Sequence, residues 1–213
     1  MKVRINFTQP ILGSWPAEEE IYTRYILSKS PSEWQAEEEE ESFTERDYDR
    51  GVTIFPCDDK GIHLMNYHIK GFLKHAGNVL KDSVKIKNLR SKLDDYVFIK
   101  ERKIYLYRNG QIIKENDGVL ERPLRAMTMQ GPRVSLVASE IIEPPAEAAF
   151  TIQLIEHKEI NLETIRTLLD YGKFLGIGQW RNGGYGQFEW KEVWVRSNEG
   201  EKTKNIVDTV IDV

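Results

Sequence analysis

Between Lys2 and Gln9 the apolar residues Val3, Ile5 and Phe7 alternate with polar ones, a period of two that predicts a half-buried strand ending at Pro10. Behind Pro16 and three glutamates, Ile21, Tyr22, Tyr25 and Ile26 recur at helical spacing and predict a short helix over Glu18 to Lys29, stopped by Pro31. Ser32 to Arg50 has no apolar period and reads as a mobile acidic surface insertion. Val52 to Cys57 and Ile62 to Tyr67 flank the turn-forming Asp58-Asp59-Lys60-Gly61 and predict a hairpin. Ile69, Phe72, Leu73, Ala76, Val79 and Leu80 then form the buried stripe of a long helix, with Lys70, Lys74 and Lys81 opposite. Strands follow at Tyr96 to Ile99, Lys103 to Tyr107, Gln111 to Ile113, Leu124 to Met129, Val134 to Ile142 and Ala149 to Ile155. Leu162 to Phe174 predicts a second amphipathic helix with Leu162, Ile165, Leu168 and Leu169 inward, and Tyr185 to Val195 a last strand. The order of elements predicts an α+β fold with no internal repeat: one domain over residues 1–196, the insertion at 32–50, and a polar tail at 197–213.

Charge changes this picture more than composition does. The 213 residues carry a formal net charge of −4, which by itself discourages a polyanionic partner. The acidity, however, is concentrated between Glu33 and Arg50, and the rest of the chain is net basic. Lys60 to Arg133 holds sixteen Lys or Arg against seven Asp or Glu, a local excess that keeps nucleic acid open as a partner. No apolar run is long enough to span a bilayer, the N-terminus has no signal-peptide pattern, and Cys57 is the single cysteine. These features predict a cytoplasmic protein without disulfides.

The segment with the most unusual chemistry runs from Leu175 to Phe188. Five glycines in eleven positions let the backbone approach a ligand or another chain, while Trp180 and Tyr185 add stacking surfaces and Arg181 a charge. Two or three glycines would satisfy a tight helix-to-strand connection, so Trp180, Arg181, Gly183, Gly184 and Tyr185 are candidate binding residues. There is no Gly-Lys-Ser/Thr phosphate loop, and this loop precedes a strand where a dinucleotide site would open a helix. ATP and NAD chemistry is therefore disfavoured. Lys70 and Lys74 share one helical face, and Arg122, Arg125 and Arg133 flank a Gly-Pro turn, so both sets are candidates to neutralise phosphates.

This loop resembles the C-terminal glycine-rich loop of the repeat-associated mysterious protein (RAMP) superfamily, the RNA-recognition-motif-like proteins that build CRISPR effector complexes and process their guide RNAs. Two further features carry the resemblance. One is the hairpin with an acidic turn from Val52 to Gly61, followed by Asn66-Tyr67-His68, Lys70-Gly71 and Lys74 at the opening of the long helix. The other is the order helix, glycine loop and strand after a proline-rich turn. Asn66-Tyr67-His68 stands where the family usually has small residues. The chain is also similar to small phage and prophage proteins through Leu12-Gly13-Ser14, Arg122 to Ala126 and Gly178 to Asn182.

The resemblance implies a ferredoxin-like, RRM-like antiparallel sheet with packed helices. It also implies single-stranded RNA as partner, assembly with copies of the chain or with CRISPR effector subunits, and, for a phage-borne relative, interference with CRISPR complexes in the host cytoplasm. The alternative it implies is a metal-independent endoribonuclease of the guide-processing type. Of His63, His68, His75 and His157, His68 lies at the helix entrance beside Tyr67 and Lys70 and is the candidate base. A third possibility is metal-dependent cleavage by Asp49, with Asp47 and Asp58 nearby as oxygen ligands suited to Mg²⁺. A protein-interaction role for the acidic insertion is a different class again. No cofactor is implied, and no His/Cys pairing suggests zinc.

Overall fold

The computed structural model describes residues 1–17, 51–128 and 131–193; for 124–128, 132, 133 and 135 the description is of the backbone alone. The helix expected over Glu18 to Lys29, the acidic insertion, Asp47, Asp49 and the tail lie outside the described residues. The elements in chain order are β1 (Lys2–Phe7), β2 (Ile11–Leu12), β3 (Trp15–Pro16), β4 (Val52–Ile54), β5 (Cys57–Asp58), β6 (Gly61–Met65) and α1 (Asn66–Leu80). There follow α2 (Leu89–Tyr96), β7 (Val97–Ile99), β8 (Lys103–Arg108), β9 (Gln111–Ile112), β10 (Gly118–Thr128), β11 (Gly131–Ile142), β12 (Ala146–Leu154), α3 (Leu162–Asp170) and β13 (Phe188–Glu192). The result is a mixed α+β protein with, among the described residues, three α-helices and two sheets.

The larger sheet is antiparallel in every pairing and runs β13-β1-β12-β8-β6-β5, with β7 also on β12 and β9 on β8. Strand β1 occupies an interior position because its alternation buries Val3, Ile5 and Phe7 while its backbone pairs with β12 on one side and β13 on the other. Those side chains join Ile69, Phe72, Leu73 and Ala76 of α1 and Ile165, Leu168 and Leu169 of α3 in one core. The smaller sheet runs β10-β11-β4-β3 with β2 on β11. The fully buried Glu140 carboxylate links its strands to their connections, accepting from the Phe55 backbone N–H at 2.8 Å and from Asn116 Nδ2 at 2.9 Å.

Several expectations are corrected. The hairpin is tighter than the sequence suggests: only Cys57-Asp58 and Gly61-Ile62 pair, around a turn in which Asp58 Oδ1 accepts from the Lys60 and Gly61 N–H groups at 3.0 and 3.3 Å. Val52 to Ile54 leaves for the smaller sheet, parallel to β11 and antiparallel to β3. The strands expected from Leu124 and Val134 are two arms of one long hairpin that starts at Gly118, paired from Gly118↔Ile141 to Thr128↔Gly131. Pro123 is tolerated there because β10 is an edge strand. The amphipathic helix from Leu162 ends at Asp170 and continues as a 3₁₀ turn over Tyr171–Lys173, and Leu162 is exposed.

The sequence pattern predicts a strand from Tyr96 and no helix before it, whereas α2 runs through Tyr96. Its Leu89 and Leu93 pack on Gly77 of α1, where an added Cβ would come within 2.4 Å of Leu93 Cδ1. The α1 stripe is therefore buried through Ala76 and Gly77, while Val79, expected inward, is 47% exposed. Among the described residues no helix is long and apolar enough to cross a membrane.

Candidate nucleic-acid interface

The connection from α3 to β13 is laid against the N-terminal strands by backbone hydrogen bonds. Gly186 N–H donates to the Pro10 carbonyl at 2.7 Å, Gln179 N–H to that of Leu12 at 3.3 Å, and Ile177 N–H closes the loop on the Gly186 carbonyl at 3.0 Å. Within it Arg181–Gly183 forms a 3₁₀ turn entered through Trp180, a non-glycine residue in the left-handed region at φ 49°. Such a conformation is costly for a bulky residue and persists where the surroundings enforce it. Here the indole is held on several sides. Tyr185 stacks on it at 5.1 Å between centroids and 15° between planes, and Gly183 lies so near that a Cβ would meet the ring at 2.9 Å.

The third contact of the indole comes from the other sheet. Arg122 of β10 places its Cζ 5.0 Å from the Trp180 ring, within the range of a cation–π interaction. Arg122 is only 5% exposed; its Nη1 donates to Ser139 Oγ at 3.0 Å, and its Nε is buried with no partner. No carboxylate among the described residues forms an ion pair with it, and burial pushes its guanidinium below the ordinary value, with Tyr185 acting the other way. A buried cation normally has a counter-charge. Among the described residues a hydroxyl and an indole stand in its place, beneath a tryptophan that remains 39% exposed.

The entrance of α1 adjoins the loop. Met65 N–H donates to His68 Nδ1 at 3.1 Å, so the ring proton is on Nε2, which donates to Ser14 Oγ at 3.0 Å. Burial, then the charges of His63 and Arg181, lowers His68 to about 4. Both ring nitrogens are engaged in closing the helix start, and the ring presents no lone pair for general-base work. Of the other histidines, His63 is fully buried, His157 packs on Tyr96 and accepts from the Glu159 N–H, and His75 lies on the outer face of α1.

Lys70 and Lys74 do share a face, but α2 has taken both. Lys70 Nζ donates to the carbonyls of Asp94 (2.9 Å) and Val97 and lies 4.9 Å from the Phe98 ring centre, so it caps the C-terminus of α2. Lys74 Nζ is ion-paired with Asp94 Oδ2 at 2.6 Å. Between these helices and the glycine loop lies a groove of about 450 Å³ lined by Gly71, Lys74 and His75 of α1, Arg90 and Asp94 of α2, and Arg181. Arg90 is a groove residue that the sequence reading missed. The backbone of Arg125 pairs with Val134, and that of Arg133 with Ala126, farther along the hairpin from Arg122. Asp58 is held by Lys103 Nζ at 3.1 Å and Tyr105 OH at 2.8 Å, and no group of three potential metal ligands forms among the described residues.

Fold and site define an α+β protein in which a basic helix groove and an aromatic loop meet. No protein-family model and no curated protein matches the sequence. Among solved structures, a chain of a Type IV-B CRISPR complex superposes with a TM-score of 0.48 at 8% identity, covering 100% of both chains. A chain from the cryo-EM structure of the Type III-B Cmr-beta bound to cognate target RNA gives a TM-score of 0.39 at 9% identity over 90% of this chain. The protein spans only 59% of that second chain.

Proposed function

We propose that the protein binds single-stranded RNA with little sequence preference, as a RAMP-type, CRISPR-associated subunit. The strand order supports this reading. In β13-β1-β12-β8, with α1 ahead of β8 and α3 between β12 and β13, the four strands follow the split β-α-β arrangement of ferredoxin-like folds. The observation that carries the proposal is Arg122, buried beneath Trp180 with no carboxylate paired to it among the described residues. A positive charge without a carboxylate favours an anion beside the exposed indole, and the indole offers a flat face on which any base can stack. In this reading Arg181, on the same turn, contacts the phosphate, while Tyr185 and Arg122 hold the tryptophan in position. In this reading copies of the chain or other effector subunits assemble along the bound strand.

Fluorescence anisotropy with a labelled oligouridine tests it. Affinity is expected to fall with salt by roughly 0.7 log unit per log salt for each phosphate neutralised. Trp180→Ala is expected to weaken binding by about 1–3 kcal/mol, the usual worth of one stacked base. Absence of binding at low salt contradicts the proposal.

A further inference from the structure

The turn that joins α1 to α2 is one-sided in charge. Lys81, Lys85 and Lys87 are exposed on it, Arg90 is exposed on the first turn of α2, and Asp82 is the one carboxylate between Lys81 and Lys92. Lys92 is ion-paired with Glu159, whereas among the described residues the other four cations form no ion pair and no side-chain hydrogen bond. Their backbone is nevertheless fixed. Ile86 (8% exposed) and Leu89 (1%) are seated in the main core, and the Val84 and Ile86 N–H groups donate to the carbonyls of Leu80 and Lys81 at 3.0 and 3.2 Å. Lys85 lies in the left-handed region at φ 57°, a conformation that a lysine keeps where its surroundings enforce it. With Ile86 inward, Lys85 and Lys87 are held outward on either side of it.

The same chain carries the opposite charge in concentrated form, as five consecutive glutamates from Glu37 to Glu41. The residues that bracket this stretch belong to the smaller sheet, where the Ala17 N–H donates to the Val52 carbonyl at 3.1 Å. That sheet is tied to the entrance of α1: Ser14 Oγ accepts from His68 Nε2 at 3.0 Å and Trp15 Nε1 donates to Tyr67 OH at 2.8 Å. The basic turn follows the other end of the helix, fifteen residues or about 22 Å away. The acidic stretch thus joins the body at one end of α1 and the basic turn stands at the other, an arrangement that copies of the chain satisfy head to tail. No aromatic ring lies between Lys81 and Lys92 for a base to stack on, which favours carboxylates over nucleotides as the counter-charge of this turn.

We propose that the basic turn from Lys81 to Arg90 is a self-association surface that takes the acidic stretch Glu37 to Glu41 of a second copy. The contact needs no RNA and goes beyond the RNA-binding reading. Sedimentation velocity on the full-length protein, freed of nucleic acid and taken through a concentration series, tests it. Species larger than the monomer are expected at low salt and are expected to be lost at high salt, because exposed charges are screened. Lys85→Gln with Lys87→Gln is expected to weaken association several-fold, and Lys85→Glu with Lys87→Glu to abolish it. Changing Glu38, Glu39 and Glu40 to lysine is expected to abolish it as well, and the chain carrying both reversals to regain it, since each surface again meets its opposite. A wild type that stays monomeric at low salt overturns the proposal, and so does association that appears only when oligouridine is added. Association insensitive to the changes at Lys85 and Lys87, or lost by them and not regained in the combined chain, overturns it too. The oligouridine titration of the wild type decides the RNA-binding reading separately.

Discussion

Acidification from pH 6.5 towards pH 4 is expected to destabilise this protein through two buried histidines. Burial is the main cause that lowers both His63 and His68 from 6.5 to about 4. For His63 the Gly61 carbonyl and Asp58 oppose that effect, and Lys103 adds to it. A histidine lowered on folding binds its proton more readily in the unfolded chain, so stability falls as the pH drops from 6.5 towards 4. At 1.36 kcal/mol per pKa unit, each residue removes up to about 3 kcal/mol across that window. Two such residues together approach the ~5–15 kcal/mol that a domain has in total. Asp58, Asp94 and Asp117 are lowered from 3.8, so their contribution is lost only at still lower pH. Urea denaturation monitored from pH 7 to pH 4 is expected to show most of the loss in this interval. His63→Phe, which removes a buried imidazole whose Nε2 has no partner, is expected to move the acid midpoint down. A flat stability profile between pH 7 and pH 4 would contradict this assignment.

Gly186→Ala is expected to be among the most costly single changes in the loop. Its φ is +70°, and a Cβ there would lie 1.9 Å from the Ile177 carbonyl oxygen, the residue whose own N–H bonds back to Gly186. Relief requires breaking that bond or the one to Pro10, which together hold the loop beneath Trp180. Backbone clash and left-handed strain combined are expected to cost about 3–5 kcal/mol, the tail of the usual range for single substitutions. For a chain of this size that lowers Tm by roughly 10 °C. Gly184→Ala provides the contrast. Its φ is +88° but an added Cβ meets nothing within 4 Å, so only the conformational strain of about 1–2 kcal/mol applies. Thermal melts of equal size for the two variants would show that close approach of the chain is not what requires Gly186.

The elements whose own residues carry their signal were legible from sequence. Val3, Ile5 and Phe7 announce β1, and Ile69, Phe72, Leu73 and Ala76 announce α1 because each stripe meets the same core along its length. Helix α2 was not legible: within LRSKLDDY only Leu89 and Leu93 are buried, and their support comes from Gly77 on another element. The same gap explains the site. Trp180, Arg181 and Tyr185 stand out in the glycine loop by composition, whereas the roles of Lys70 and Lys74 depend on α2, to which both are bound. Arg90 was hidden for the same reason. The division of the strands into two sheets depends on non-local pairings such as Ala138↔Val52, which no local period encodes.

On the proposed function, RNA lies across the glycine loop and the adjoining face of α1. Ultraviolet cross-linking of the full-length protein to oligouridine, followed by mass spectrometry of the joined peptides, tests it most directly. Cross-links are expected at Trp180 or Tyr185 and on the peptide containing Tyr67, which borders the groove. Cross-links confined to peptides remote from these residues, or none under conditions where the protein remains folded, would contradict it.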